Sequence, residues 1–505
     1  MADFSYLPHK DKEYWNKKKE IFKIIPNNFS DLNRIFFNNK CKFFYKIEMI
    51  HKNEADEFLK VYNNLSELAY NLENILPEEI PLLKEGTSGK QELTRKEVAL
   101  IFLLSFFNLI DIRQENLRST NNFRVYEVLF NSYSSTFEFG RCFLNYLTII
   151  GKWLSENNPI LDEKISYIRD SKIFKDEIFE KETKLCEIEI NEKGSLFDRD
   201  DSYGIDFANK YIGGGALEGG CVQEEILFAV EPEAIVSMFF MEVMSDDDAI
   251  RIDNTIQYSN YSGYGYNFKF KENAIDLNNL KTIKKTKFIA IDASVEYSGK
   301  YGLLDKDNII RDIHKAYVGF NLVNFEAEKI NEKEIEEKKD KKIEETEKKE
   351  KIEKEAKEDK IEKGDKEDKA EKGEEKKDKK KKGEEKKDKI EKKDKGIKEK
   401  IIKDKKIATG NWGCGAFGGD HELKFLQQWV AASFAGIKIL YYYTFEATKM
   451  KFVIKNLDKI KQKYSTANDL YNELKNKILC QGEVLEILLG ETNTENDYKE
   501  FNLFK

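Results

Sequence analysis

Along the first 180 residues apolar positions recur at helical spacing, and the run from Leu93 to Ile110 is apolar on nearly every side, which predicts a buried helix. Thr94 is placed to cap it, with Glu97 three residues on at the spacing of a capping box. The texture changes after Lys184. Cys186–Ile190 (CEIEI) alternates as a strand does and runs into turn residues at Asn191–Gly194, and Ile205–Asn209 (IDFAN) has the same strand character. Lys287–Ala293 (KFIAIDA) and Lys438–Phe445 (KILYYYTF) are further β-rich runs bounded by breakers. Between them Glu231–Met244 (EPEAIVSMFFMEVM) and Asp420–Gly436 (DHELKFLQQWVAASFAG) predict helices, the second capped by Asp420 and closed by Gly436. Residues 1–180 are therefore expected to form a helical layer or extension, and the remainder an α/β unit.

Composition removes one segment from that picture. Residues 326–406 hold 33 lysines and 30 acids with no aromatic residue, so the tract has too little apolar surface to offset the entropy of ordering and is expected to be a disordered, solvated insert. Both its ends must then lie on the surface. The whole chain carries −8, and about −11 without the insert, a balance that argues against a general nucleic-acid-binding face while leaving room for a local anion site. The Lys379–Lys382 run has the look of a nuclear-import patch, but in a tract made of lysine it carries little information. Six cysteines without a CxxC pair and only four histidines indicate neither a disulfide framework nor a metal site. With no apolar signal core at the start and Val98–Phe107 too short to span a bilayer, a soluble intracellular protein is expected.

Candidate chemistry concentrates in Gly213–Glu225 (GGGALEGGCVQEE), where two glycine clusters lead into adjacent carboxylates. Glycines let backbone N–H groups approach an anion, and a following helix N-terminus adds partial positive charge, so the motif suggests phosphate binding beside acid/base chemistry. A second glycine loop, Gly413–Gly419 (GCGAFGG), also precedes a helix. Two loops imply two phosphates or two walls around one pyrophosphate. Neither fits a Walker loop or a dinucleotide fingerprint. Taken singly, either loop reads equally as a tight turn, Glu224 and Glu225 as acids favoured at a helix start, and Asp206 and Asn209 as loop punctuation. Tyr258, Tyr261, Tyr264 and Tyr266 cluster among glycine and serine, a composition that suits either a loop closing over a base or a β-hairpin with paired rings.

Six blocks in fixed order, IDFANKYIGGG, GCVQEE, QYSNYSGYG, AIDA, AYVGF and ATGNWGCGAFGGD, resemble the poly(ADP-ribose) glycohydrolase family over roughly residues 185–450, the insert excepted. The resemblance implies a macrodomain-like mixed sheet flanked by helices, with the catalytic domain in 181–325 and 407–505, a helical accessory region in 1–180 and the insert as an addition. It implies hydrolysis of ribose–ribose O-glycosidic bonds in poly(ADP-ribose), with no cofactor and no metal; the alternative is an ADP-ribose-binding module without turnover. Carried across, Glu225 is the acid/base, Glu224 and Asn209 position the ribose, and Asp206 supports them. Gly213, Gly214 and Gly215 line the pyrophosphate, with Gly415, Ala416 and Phe417 opposite; Gln223 adds to the substrate site, Tyr264 covers the ligand and Phe445 stacks on adenine. The family's adenine-reading acid falls here at Phe197 or Asp198, where the local pattern departs. Poly(ADP-ribose) and ADP-ribosylated proteins are the implied partners, of a monomer in nucleus or cytoplasm serving the DNA damage response, with no direct DNA or membrane binding.

Overall fold

The computed structural model describes residues 4–110, 119–277, 279–296, 302–326 and 405–491, so the expected disorder over 327–404 lies outside the described residues, while at the insert's C-terminal bound Lys406 is corrected to a strand residue, paired with Ile439. The chain divides into one compact unit, Met1–Leu322 with Lys406–Lys505, and a second, Val323–Lys405. Of the second, the described ends meet: Lys405 Nζ donates to the Val323 carbonyl and to Asn324 Oδ1, each at 2.6 Å.

The first unit is built on an eight-stranded mixed sheet. Its strands are β3 (Gly89–Thr94), β4 (Lys164–Ser171), β5 (Glu187–Asn191), β6 (Tyr203–Ala208), β7 (Asp248–Ile256), β10 (Lys285–Asp292), β11 (Lys406–Gly410) and β12 (Ile439–Tyr443). Their spatial order is β3-β4-β7-β10-β6-β11-β12-β5. From β10 to β5 every pairing is parallel, and β3, β4 and β7 extend the sheet antiparallel. Two small ribbons stand apart, β1 (Phe4–Tyr6) with β2 (Glu79–Pro81) and β8 (Ser259–Ser262) with β9 (Lys269–Asn273).

Residues 1–180 supply α1 (Lys12–Lys19), α2 (Phe29–Phe37), α3 (Lys42–Ile50), α4 (Lys52–Tyr70), α5 (Arg95–Phe106), the single turn α6 (Glu127–Phe130) and α7 (Ser134–Ser155). The expected buried helix is α5, and its capping box forms as predicted, with Thr94 Oγ1 accepting from the Glu97 amide at 3.2 Å and Glu97 accepting from the Thr94 amide at 2.6 Å. The region is nevertheless not purely helical, because β3 and β4 complete the sheet. Their strand character is masked in sequence by polar residues in Gly89–Thr94 and by a lone hydrophobic stretch in Lys164–Ser171. One continuous apolar core runs from Leu7 and Trp15 through α4, α5 and α7 to Phe288 and Ala290 of β10. Each fully buried Leu or Phe in it contributes about 1.5–3 kcal/mol.

The remaining helices are the single turn α8 (Glu177–Glu180), α9 (Gln223–Val230), α10 (Lys306–Asn321), α11 (His421–Phe434), α12 (Lys451–Lys463), α13 (Ala467–Asn476) and α14 (Val484–Leu489). Strand alternation sorts two of them onto opposite faces. Phe228 of α9 meets Phe288, whereas Gly319 of α10 sits on Ile289 and Ile291, so close that a Cβ would lie 2.4 Å from Ile291. Asp420 caps α11 through the Glu422 and Leu423 amides, and Gly436 follows it at φ +70°, both as predicted. The helix expected over Glu231–Met244 is instead a short 3-10 segment, Ala234–Phe239. Pro232 and an apolar run without period leave it no amphipathic face to extend.

Candidate active site

The parallel strands end on one side of the sheet, and a cavity of about 810 Å³ opens there. Asn209 follows β6, Ala293 follows β10, Asn411 follows β11, and Phe445 lies just past β12, all on its wall. Ligands of parallel sheets bind outside the carboxyl ends of strands, and the volume suits a nucleotide-sized molecule.

The QEE motif forms the first turn of α9, and its side chains are fixed by backbone donors. Glu224, 2 % exposed, accepts from the Asn209 amide at 2.8 Å and the Gly213 amide at 2.6 Å. Glu225, 7 % exposed, accepts from the Gly215 amide at 3.0 Å and from the Val222 amide at 2.8 Å, the return half of a capping box whose other half Val222 cannot supply. Gln223 is used as a strut: its Oε1 accepts from the Phe207 amide at 2.8 Å and its Nε2 donates to the Ile205 carbonyl at 3.2 Å, tying α9 to β6.

This placement corrects the expectation for the first glycine loop. Gly213 and Gly215 give their N–H groups to the glutamates, Gly214 donates to the Tyr211 carbonyl, and none of the three lies on the cavity wall. At φ +86° and +48°, Gly213 and Gly214 make a turn that side-chain-bearing residues rarely adopt. The second loop differs. Gly415, Ala416 and Phe417 line the cavity, and among the described residues no acceptor takes their amides. Successive unpaired N–H groups of this kind form an anion-binding concavity.

Asp206 is likewise corrected, because it lies behind the glutamates rather than in the cavity. Its register opposite Ala290 turns it to the α9 face, where it is wholly buried and neither oxygen has a hydrogen-bond partner. Burial, and next the charge of Glu225, push its pKa well above the carboxylate range. Glu224 is also raised, by burial first and then by Asp206 and Glu225, against the lowering effect of the Asn209 and Gly213 amides. Like charges this close cannot all ionise, and burial further disfavours the charged forms of Asp206 and Glu224.

The tyrosine cluster lies on and beside the β8–β9 hairpin. Tyr258 is buried with its hydroxyl on Glu233 at 2.5 Å, Tyr261 stacks on Phe268 with ring centres 5.4 Å apart, and Tyr264 sits exposed at the tip between β8 and β9, on the cavity wall. Phe445, also half exposed on the wall, packs near-parallel to Tyr443. Of the two adenine candidates, Phe197 lines the cavity, whereas Asp198 is occupied by the Ser195 amide at 2.8 Å. Residues 175–452 match the family described as poly(ADP-ribose) glycohydrolase, macro domain fold, and residues 49–169 its helical domain. The chain belongs to the poly(ADP-ribose) glycohydrolase family.

Glycohydrolase relatives agree. Poly(ADP-ribose) glycohydrolase 1 of Arabidopsis thaliana is 29 % identical over 75 % of this chain and 67 % of its own length, and probable poly(ADP-ribose) glycohydrolase 2 of the same plant is 28 % identical over 78 % and 70 %. Poly(ADP-ribose) glycohydrolase 1 of Caenorhabditis elegans is 26 % identical over 86 % of the chain and 46 % of its own length. The glycohydrolase cavity also holds wall residues outside the motif blocks, among them Glu231 and His421, and others within the blocks that were not singled out, Gln257, Asn411 and Trp412. A usable signal existed for Glu231: seven residues after Glu224, it returns to the same face of α9. No group of described residues could hold a metal ion, and no helix among them is long and apolar enough to cross a membrane.

Proposed function

We propose that this poly(ADP-ribose) glycohydrolase uses Glu225 as general acid and then general base on the ribose–ribose O-glycosidic bond. The observation that carries the reading is the pair of buried glutamates, locked by four backbone amides, beside a loop with three amides to spare. Cleavage leaves an oxocarbenium-like ribose and needs the departing 2′-oxygen protonated, so a carboxyl that arrives with its proton is required. Glu225 fits that role, being the more exposed of the pair and on the cavity wall. Having given up its proton, it takes one from the attacking water. Adjacent residues cannot flank one bond as separate acid and nucleophile, so one carboxyl serves both transfers.

Glu224 and Asn209 hold the ribose hydroxyls, and Asp206, out of contact with substrate, disfavours ionisation of Glu224. Gly213, Gly214 and Gly215 set the glutamates, while Gly415, Ala416 and Phe417 take the pyrophosphate, whose negative charge stabilises the developing cation. Tyr264 covers the ligand, Phe445 and Phe197 sandwich the adenine, and Gln223 fixes the helix to the sheet. Residues 1–180 brace the sheet, 181–325 and 407–505 carry the chemistry, and 326–406 stand outside it. A monomer acting in nucleus or cytoplasm on ADP-ribosylated proteins, without direct DNA contact, accords with the acidic charge. The test is to give purified protein automodified poly(ADP-ribose) and measure released ADP-ribose. Release by wild type and its loss in Glu225→Gln supports the assignment, and equal release by both overturns it.

A further inference from the structure

Beneath the second glycine loop lies a buried ion cluster that the chemistry itself does not use. Its centre is Asp312 of α10, which accepts from the Ser294 amide at 3.0 Å, the Ser294 hydroxyl at 2.7 Å, Arg311 at 2.9 Å and the ammonium of Lys424. Both Asp312 and Lys424 are fully buried. Burial pushes the Asp312 pKa up, but Lys424 and Arg311 outweigh it and hold the carboxyl below its ordinary value.

Two of the three partners of Asp312, Lys424 and Ser294, are the two supports of the loop. Lys424 runs under its base, where a Cβ on Gly419 would lie 2.8 Å and one on Gly413 3.2 Å from Lys424 Cε. Those same glycines close the loop on itself, the Gly419 amide donating to the Gly413 carbonyl at 2.9 Å. Ser294 starts the other support, because two residues on the Glu296 amide donates to the Phe417 carbonyl at 2.9 Å. The base and the tip of the loop are thus tied to one carboxylate.

We propose that Asp312 is a positioning residue for the pyrophosphate cradle, fixing through Lys424 and Ser294 the line of the Gly415, Ala416 and Phe417 amides; the proposal rests on the reading of that loop given above. A ligand bound by preset donors loses affinity when they must be ordered on binding. Glu225 hangs from a different loop, so the chemical step keeps its rate once substrate is bound.

The experiment uses the full chain. Asp312→Asn alone leaves Lys424 buried without its counter-ion, so the main variant is Asp312→Asn with Lys424→Met, which removes both charges together. Steady-state hydrolysis of poly(ADP-ribose) and calorimetric binding of ADP-ribose are measured after circular dichroism confirms folding. KM and Kd should rise about 10–100-fold with kcat within about threefold, a split that a general loss of structure does not produce. Ser294→Ala, which cuts one link without altering charge, should raise Kd about threefold or more and decides the matter if the double variant does not fold. Wild-type Kd in the folded variants, or a fall in kcat at unchanged Kd, overturns the proposal. Gly415→Val separates the two levels. If it binds ADP-ribose normally, the reading of the loop fails; if it loses affinity while the Asp312 and Ser294 variants do not, only the positioning role fails.

Discussion

Glu224 and Glu225 are neighbours held by different donors: Glu224 by amides from the end of β6 and from the glycine turn, Glu225 by the turn and by its own helix cap. Changing Glu225 to Gln keeps its shape and removes the transferable proton. In single-turnover assays the rate should fall about 10²–10⁴-fold, while calorimetry should find ADP-ribose affinity within about tenfold of wild type. A rate near wild type would remove Glu225 from the acid/base role. The pair was legible from sequence, since QEE after a glycine run is a compact signal. What those glycines do was not, because the choice between an anion and a carboxylate as acceptor depends on how a turn at φ +86° and +48° aims its amides. For the same reason Asp206 read as a site acid: the strand's register, invisible in one sequence, turns it behind the glutamates.

The two glycine loops are alike in composition and differ in where their amides go, which gives them separable mutants. A Cβ on Gly214 would lie 2.6 Å from both Glu224 Oε2 and Glu225 Oε1, whereas one on Gly415 meets nothing within 4 Å. Gly214→Val should therefore displace both carboxylates, with hydrolysis lost and melting temperature lowered. Gly415→Val should melt like wild type and lose ADP-ribose affinity, because its side chain occupies only the space proposed for the anion. Equal behaviour of the two in thermal melts and calorimetry would contradict this division. Helices with local stop signals were legible in advance: Thr94 with Glu97, Asp420 and Gly436 mark α5 and α11 correctly. Of the strands, alternation and β-rich composition marked β5, β6, β10 and β12, whereas β3, β4 and β7 were not legible. β7 is a strand because β4 and β10 flank it, and the Ala234–Phe239 stretch, apolar but for Ser237, is buried throughout because it is enclosed, not because it has a helical face.

At the scale of the whole molecule, buried acids make stability depend on pH. Glu231, wholly buried beside the Thr255 hydroxyl at 2.7 Å, has its pKa raised to about 7, chiefly by burial. Since its unfolded value is about 4.3, the folded state holds the extra proton between those limits; the stability it contributes is present below about pH 4.3 and lost as pH rises through 7, at up to about 1.4 kcal/mol per pH unit. Urea unfolding at pH 5 and 7.5 should show a smaller fall for Glu231→Gln than for wild type, and an identical fall would contradict the assignment. The charged tract between α10 and β11 is set apart on different grounds. The first unit takes up the chain on both sides of it, the active-site blocks Ala290–Ala293 and Ala408–Asp420 lie in that unit, and the ends Val323 and Lys405 touch through a hydrogen bond. Closing so short a gap with a Gly/Ser link costs little, since loop entropy grows only slowly with length. Deleting residues 330–402 should leave release of ADP-ribose within about threefold of wild type. A folded deletion variant that loses catalysis would show that the tract takes part in the reaction, and a change confined to cellular distribution would locate its role outside it.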